Sequence, residues 1–222
     1  VLPEPSPGVL PHTGEPEGGL PYRLFVSGES SEVNPQRLVV WLHPSGSDGL
    51  ELVEPLAEDF VRRGFALLTL SRKNFADWKG ADANRVMAKV LPDAARVPGV
   101  DARRPVLLGF SAGAQMALEL WSARPDAFSG LVLLAGAPRF SRGDELTPPR
   151  GTAYTRVPML AVVGEDDGDG PALWRKAQET WSAAGVPLQT RVVSDLGHEW
   201  LLKEPTEREA MLAWLAALPP VQ

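Results

Sequence analysis

Between the apolar run Val106-Leu107-Leu108 and the helix-forming stretch Ala114-Gln115-Met116-Ala117-Leu118-Glu119-Leu120-Trp121 stand five residues, Gly109-Phe110-Ser111-Ala112-Gly113. A buried strand that must become a helix within five residues has very little room. The turn is so sharp that Ser111 takes strained backbone angles, and a side chain at either glycine would meet the neighbouring strand or helix. That strain holds the Ser111 Oγ clear of the sheet, at the positive end of the following helix, where a carbonyl carbon can be attacked. Chance supplies about 0.12 G-x-S-x-G matches in a chain of this length and composition, before a flanking strand and helix are required. Ser111 is the candidate nucleophile.

The rest of the chain supplies a frame for such a turn. Short apolar runs alternate with amphipathic stretches, the pattern of a mostly parallel sheet flanked by helices on both faces. Residues 22–26 read as a half-buried strand. Leu38-Val39-Val40-Trp41-Leu42 and Ala66-Leu67-Leu68-Thr69-Leu70 do not alternate and read as central strands, buried on both sides. Residues 105–110, 131–134, 159–163 and 188–193 complete seven strands. Val53, Leu56, Phe60 and Val61 share a helix face before Gly64, and Leu173, Ala177, Trp181 and Ala184 share another before Gly185. The last helix is expected to start with Thr206 as cap and Glu209 three residues on, ahead of the stripe Met211, Trp214, Leu215 and Leu218. Pro92 should kink a helix over residues 82–97. No repeat or linker interrupts this order, so residues 1–222 read as a single domain, with residues 1–20 an extended Pro/Gly-rich N-terminal segment.

Composition narrows the function. The 222 residues suffice for a substantial core, and 44% hydrophobic with 23% charged residues is ordinary for a globular protein. A formal charge of −6 with no basic cluster argues against nucleic acid as a partner. With no cysteine, disulfides, thiolate metal sites and a cysteine nucleophile are excluded. No apolar run approaches bilayer length and no signal peptide is evident, so a soluble protein is expected, cytoplasmic or exported with its signal already removed.

The strand, G-x-S-x-G and helix in succession resemble the nucleophile elbow of the α/β-hydrolases, where acid and base follow in the order Ser…Asp/Glu…His. A serine needs a general base, and only His12, His43 and His198 exist. His198 alone stands just past the last strand, in Asp195-Leu196-Gly197-His198-Glu199-Trp200. The acid should follow the penultimate strand, where Gly164-Glu165-Asp166-Asp167-Gly168-Asp169-Gly170 crowds four carboxylates together. An oxyanion needs two aimed N–H groups. One is that of Ala112. The other should come from His43-Pro44-Ser45-Gly46-Ser47-Asp48-Gly49, where Pro44 has none to give and Ser45 is the candidate, its hydroxyl a further donor. Asp48 suits a helix N-cap in the same loop.

Over nearly its whole length the chain is similar to small esterases of that superfamily: the carboxylesterase/phospholipase, dienelactone-hydrolase-like and polyester-depolymerase or feruloyl-esterase groups. The likeness rests on Gly99-Val100-Asp101, on Arg104-Pro105 leading into the elbow, and on Gly164-x-x-Asp167. It implies Asp167 as the acid, ahead of Asp169 and Asp166, with Gly168 and Gly170 keeping Asp169 open. It also implies an α/β-hydrolase fold with no cap domain, no cofactor and no metal. The expected activity is a serine esterase acting on a small-molecule or polymer-borne ester. A peptidase or thioesterase would use the same atoms, and a non-catalytic binding protein would keep the fold. His43-Pro44 departs from the His-Gly usual in these groups, and a true dienelactone hydrolase would need a cysteine nucleophile. The loop Ser71-Arg72-Lys73-Asn74-Phe75-Ala76-Asp77-Trp78 should border the site, with Arg72 or Lys73 facing an anionic group and Trp78 lining a pocket; Trp200 is similarly placed. Residues 136–157 can fold over the cleft but are too short for a separate domain.

Overall fold

A computed structural model describes residues 8–70, 77–139, 148 and 150–221. Eight strands form one sheet in the order β1-β2-β4-β3-β5-β6-β7-β8. They are β1 Val9–Gly14, β2 Tyr22–Ser27, β3 Gln36–Leu42, β4 Phe65–Leu70, β5 Val100–Phe110, β6 Gly130–Leu134, β7 Met159–Gly164 and β8 Leu188–Val193. β1 and β2 run antiparallel to their neighbours, and β4, β3, β5, β6, β7 and β8 are mutually parallel. Every residue of β4, β6 and β7 is buried, which is why these runs do not alternate in polarity.

Two apolar layers sandwich the sheet. Leu38, Val40, Leu107, Leu131 and Leu133 point to one side, under α3 Gly80–Arg85, α4 Leu91–Ala94, α5 Ala112–Ala123 and α6 Gly170–Ala183. Val39, Trp41, Val106, Leu108, Val132 and Leu134 point to the other, under α1 Leu50–Val53, α2 Ala57–Arg62 and α7 Pro205–Ala216. Successive side chains of one strand thus feed opposite layers, as the pleat requires. Each fully buried Leu or Val contributes about 2 kcal/mol of burial free energy. The central strands, where the elbow is anchored, are therefore the best-held part of the fold.

Three expectations need correction. The segment read as an extended lead supplies an eighth strand, β1, pairing along its whole length with β2. Pro11 weakens the strand signal there, but a proline is tolerated on the outer strand of a sheet. The last helix does not begin at Thr206. Glu204 occupies the cap with no side-chain hydrogen bond and Pro205 is the first helical residue, where its missing N–H costs nothing. Glu209 instead pairs with Arg63, 2.8 Å away. Pro92 is accommodated by a π-helical turn over Val86–Val90 between α3 and α4, not by a simple kink.

Candidate active site

β5 runs into α5 through Ser111, whose φ of 54° and ψ of −114° lie where non-glycine residues are rarely found. Such a conformation costs about 1–3 kcal/mol and survives only where its surroundings impose it. Here both glycines impose it. A Cβ on Gly113 would sit 1.8 Å from the Leu42 carbonyl oxygen, and one on Gly109 would sit 2.3 Å from the Gly113 carbonyl oxygen. The Ser111 N–H is tied to the Leu134 carbonyl at 2.8 Å, fixing the turn to β6. The Ala112 N–H begins α5, where no carbonyl one turn back can accept it.

Across the carboxyl ends of the strands, Ser111 Oγ lies 2.8 Å from His198 Nε2, and His198 Nδ1 lies 3.0 Å from Asp167 Oδ2. A carboxylate oxygen only accepts, so Nδ1 carries the ring proton and Nε2 presents its lone pair to the serine hydroxyl. Of the three aspartates left open by the sequence, Asp167 is the one that meets the imidazole. Asp166 is exposed, and Asp169, 79% exposed at its side chain, faces Arg139 at 3.7 Å.

The loops that carry Asp167 and His198 are joined by backbone. The Asp166 N–H donates to the Leu196 carbonyl and the Glu165 N–H to the Val193 carbonyl, both at 2.8 Å. A Cβ on Gly164 would come within 2.3 Å of the Leu196 carbonyl oxygen, so a side chain there would drive the two loops apart. Phe110 stacks on the His198 ring with centroids 6.2 Å apart and is itself met edge-on by Trp200 at 5.6 Å. Trp200 in turn packs edge-on to Trp41. It backs the imidazole through Phe110 and is not among the described residues lining the cleft.

The loop after β3 is held at several points. His43 is buried, its Nδ1 2.6 Å from the Pro44 carbonyl oxygen and its ring against that of Trp78, centroids 4.5 Å apart. Trp78 Nε1–H donates to the His43 carbonyl at 2.8 Å, and the Ser45 hydroxyl donates to Asp77 Oδ1 at 2.7 Å. The Ser45 hydroxyl is therefore occupied by Asp77. Trp78 fastens this loop and, like Ser45, is not among the described residues lining the cleft. Asp48 Oδ1 accepts the Leu50 N–H at 3.3 Å, while Gly49, with φ 60°, stands at the helix start. Arg72 and Lys73 lie outside the described residues.

An open cleft of about 380 Å³ surrounds Ser111 and His198, with Ala112, Gln115, Arg139 and Leu173 in its walls. A larger groove of about 850 Å³, lined by Leu91, Val100 and Arg103, lies by the start of β5, away from the carboxyl ends where ligands of open α/β sheets bind. Among the described residues no group of three or more His, Asp or Glu is placed to hold a metal ion. No helix among them is long and apolar enough to cross a membrane. Gln115 and Arg139 escaped the sequence reading, because no motif marks them and their relation to Ser111 exists only after β6 is laid beside β5.

No protein-family model matches the sequence, and no curated protein matches it either. Solved structures share its architecture. A ferulic acid esterase superposes with a TM-score of 0.71 at 15% identity, over 92% of this chain and 96% of its own. An S-formylglutathione hydrolase from Staphylococcus aureus gives 0.70 at 11% identity, over 94% and 98%. A dienelactone hydrolase-like promiscuous phosphotriesterase from metagenomic libraries gives 0.69 at 16%, over 95% and 99%. At such identities the likeness is one of fold. With its mostly parallel eight-stranded sheet and no cap domain among the described residues, this chain has the α/β-hydrolase fold.

Proposed function

We propose that the protein is a serine esterase. The observation that carries this reading is the unbroken chain of contacts from Ser111 Oγ through His198 to Asp167, mounted on a strained elbow at the mouth of a cleft. Ser111 Oγ attacks the ester carbonyl while His198 Nε2 takes its proton. Asp167 holds the imidazole in the productive tautomer and stabilises the imidazolium. The N–H groups of Ala112 and Ser45 receive the oxyanion. His198 then returns the proton to the departing alcohol, and water, activated by the same imidazole, releases the acid from Ser111. No step needs a metal or a cofactor.

The test is direct. A fluorophosphonate should place one label, on Ser111, and the protein should hydrolyse soluble acetate and butyrate esters with rates rising smoothly through the solubility limit. Long-chain triglycerides should be poorer substrates, because an open cleft of this size buries little of an extended acyl chain. A label elsewhere, or turnover confined to thioesters or anilides, rejects the esterase assignment. A jump in rate on emulsion formation would show a mobile cover and reject the open cleft.

The clamp on the β3 loop gives a second expected result. Trp78→Phe keeps a ring against His43 but loses the donor to its carbonyl. Loosening an oxyanion donor weakens the transition state and not the bound ester, so kcat should fall about fivefold to tenfold with KM little changed, the scale of one hydrogen bond. Steady-state kinetics decide it. A raised KM with unchanged kcat would make Trp78 a wall of the substrate pocket instead.

A further inference from the structure

The segment after β6 is fastened at several points. The Ala135 N–H donates to the Val162 carbonyl at 2.9 Å, and Trp174 Nε1–H donates to the Gly136 carbonyl at 2.8 Å. Gln115, on the first turns of α5, spans the next residues with both ends of its amide. Its Oε1 accepts the Ala137 N–H at 2.8 Å and its Nε2 donates to the Arg139 carbonyl at 3.0 Å. Gly136 allows this closeness, since a Cβ there would lie 2.6 Å from the Ala114 Cβ. The effect is to hold the Arg139 main chain rigidly against the helix that carries Ser111. Arg139 lines the cleft with its side chain half-exposed, and the partner seen there is the Asp169 carboxylate, 3.7 Å away and beyond hydrogen-bond range. Asp167, the other carboxylate of the cleft, is engaged by His198. Arg139 and His198 are the only residues with basic side chains among the described lining.

An arginine whose main chain is anchored, with five fork-shaped donors and one loose partner among the described residues, is suited to a planar anion. We propose that Arg139 is a specificity-determining residue that binds a carboxylate borne by the ester, so that the preferred substrates are small esters with a second, anionic end. This rests on the esterase reading and adds the substrate class to it. The cleft, at about 380 Å³, is near the small end of ligand sites and fits a short ester with one charged terminus.

The experiment compares kcat/KM for charged and neutral esters of similar length. Monoethyl succinate against ethyl butyrate tests a carboxylate on the acyl side, and acetoxyacetate against ethyl acetate tests one on the alcohol side. The wild type should prefer at least one anionic ester. Arg139→Gln should lower that charged-to-neutral ratio about tenfold, a value between those of an exposed ion pair and a charged hydrogen bond. Asp169→Asn should raise the ratio by removing the competing carboxylate. Salt raised from about 0.05 to about 0.5 M should erode the preference in the wild type and not in Arg139→Gln. Fluorophosphonate labelling of each variant checks that the site is folded. A ratio unchanged by Arg139→Gln, or no preference in the wild type, overturns the assignment of Arg139 while labelling and neutral-ester turnover leave the esterase reading intact. If no ester is hydrolysed, both fall.

Discussion

Ser111→Ala should abolish ester hydrolysis and fluorophosphonate labelling together, with the fold intact. The expected fall in kcat is on the order of 10⁶, the scale for removing the nucleophile of a serine hydrolase. Stability should change little. Ser111 already sits at φ 54°, imposed by Gly109 and Gly113, and alanine has the same Cβ in the same strained turn. The change removes one exposed hydrogen bond to His198 and adds no bulk. Thermal unfolding beside steady-state kinetics separates lost chemistry from lost folding. Substantial activity in a folded Ser111→Ala protein would leave the chain without a serine mechanism.

The aspartates supply the second large effect. Asp167→Asn should lower kcat by up to roughly 10⁴-fold, as a mis-set imidazole does in serine proteases. An amide in place of the carboxylate can donate to Nδ1, which pushes the ring proton onto Nε2, and a protonated Nε2 cannot accept from Ser111. Asp166→Asn and Asp169→Asn should each change kcat less than about threefold for a neutral ester, since neither carboxylate reaches the imidazole. Parallel kinetics on the three variants read the outcome. A crippled Asp169→Asn with a healthy Asp167→Asn would mean that the acid loop rearranges when substrate binds.

The parts of this protein that were legible in the sequence are those set by neighbours a few residues apart. Short apolar runs between amphipathic stretches place seven of the eight strands, and those that do not alternate, such as residues 38–42 and 66–70, announce burial on both faces. The eighth, β1, carries Pro11 and a composition shared with loops, so only its pairing with β2 defines it. The elbow was legible because its motif is local: Gly109 is demanded by Gly113 and Ala114 within the same turn, although the atoms that demand Gly113 belong to the end of β3. The start of α7 misled, because Thr206 and Glu209 match a capping pattern while Glu204 and Pro205, equally local, set the actual boundary.

His198 could be singled out from sequence because the chain has only three histidines and one of them follows the last strand. Composition could not choose among Asp166, Asp167 and Asp169. That choice depends on how the Gly164 turn lies against Leu196 and Gly197, an approach between segments some thirty residues apart. The same is true of Trp78 and Trp200. Their place near the site followed from chain order, but whether each faces a substrate or clamps a loop is a matter of rotamer and packing across strands. Gln115 and Arg139 lie furthest from any sequence signal. An amide on α5 that holds two backbone groups after β6 exists only once parallel strands bring the ends of β5 and β6 side by side. The sequence by itself determined the layers, the order of the elements and the turn that lifts Ser111. The Gly164-x-x-Asp167 spacing had placed Asp167 ahead of its neighbours, but only tertiary structure brings its carboxylate to the imidazole and Arg139 to the cleft, because those contacts join residues that the chain keeps far apart.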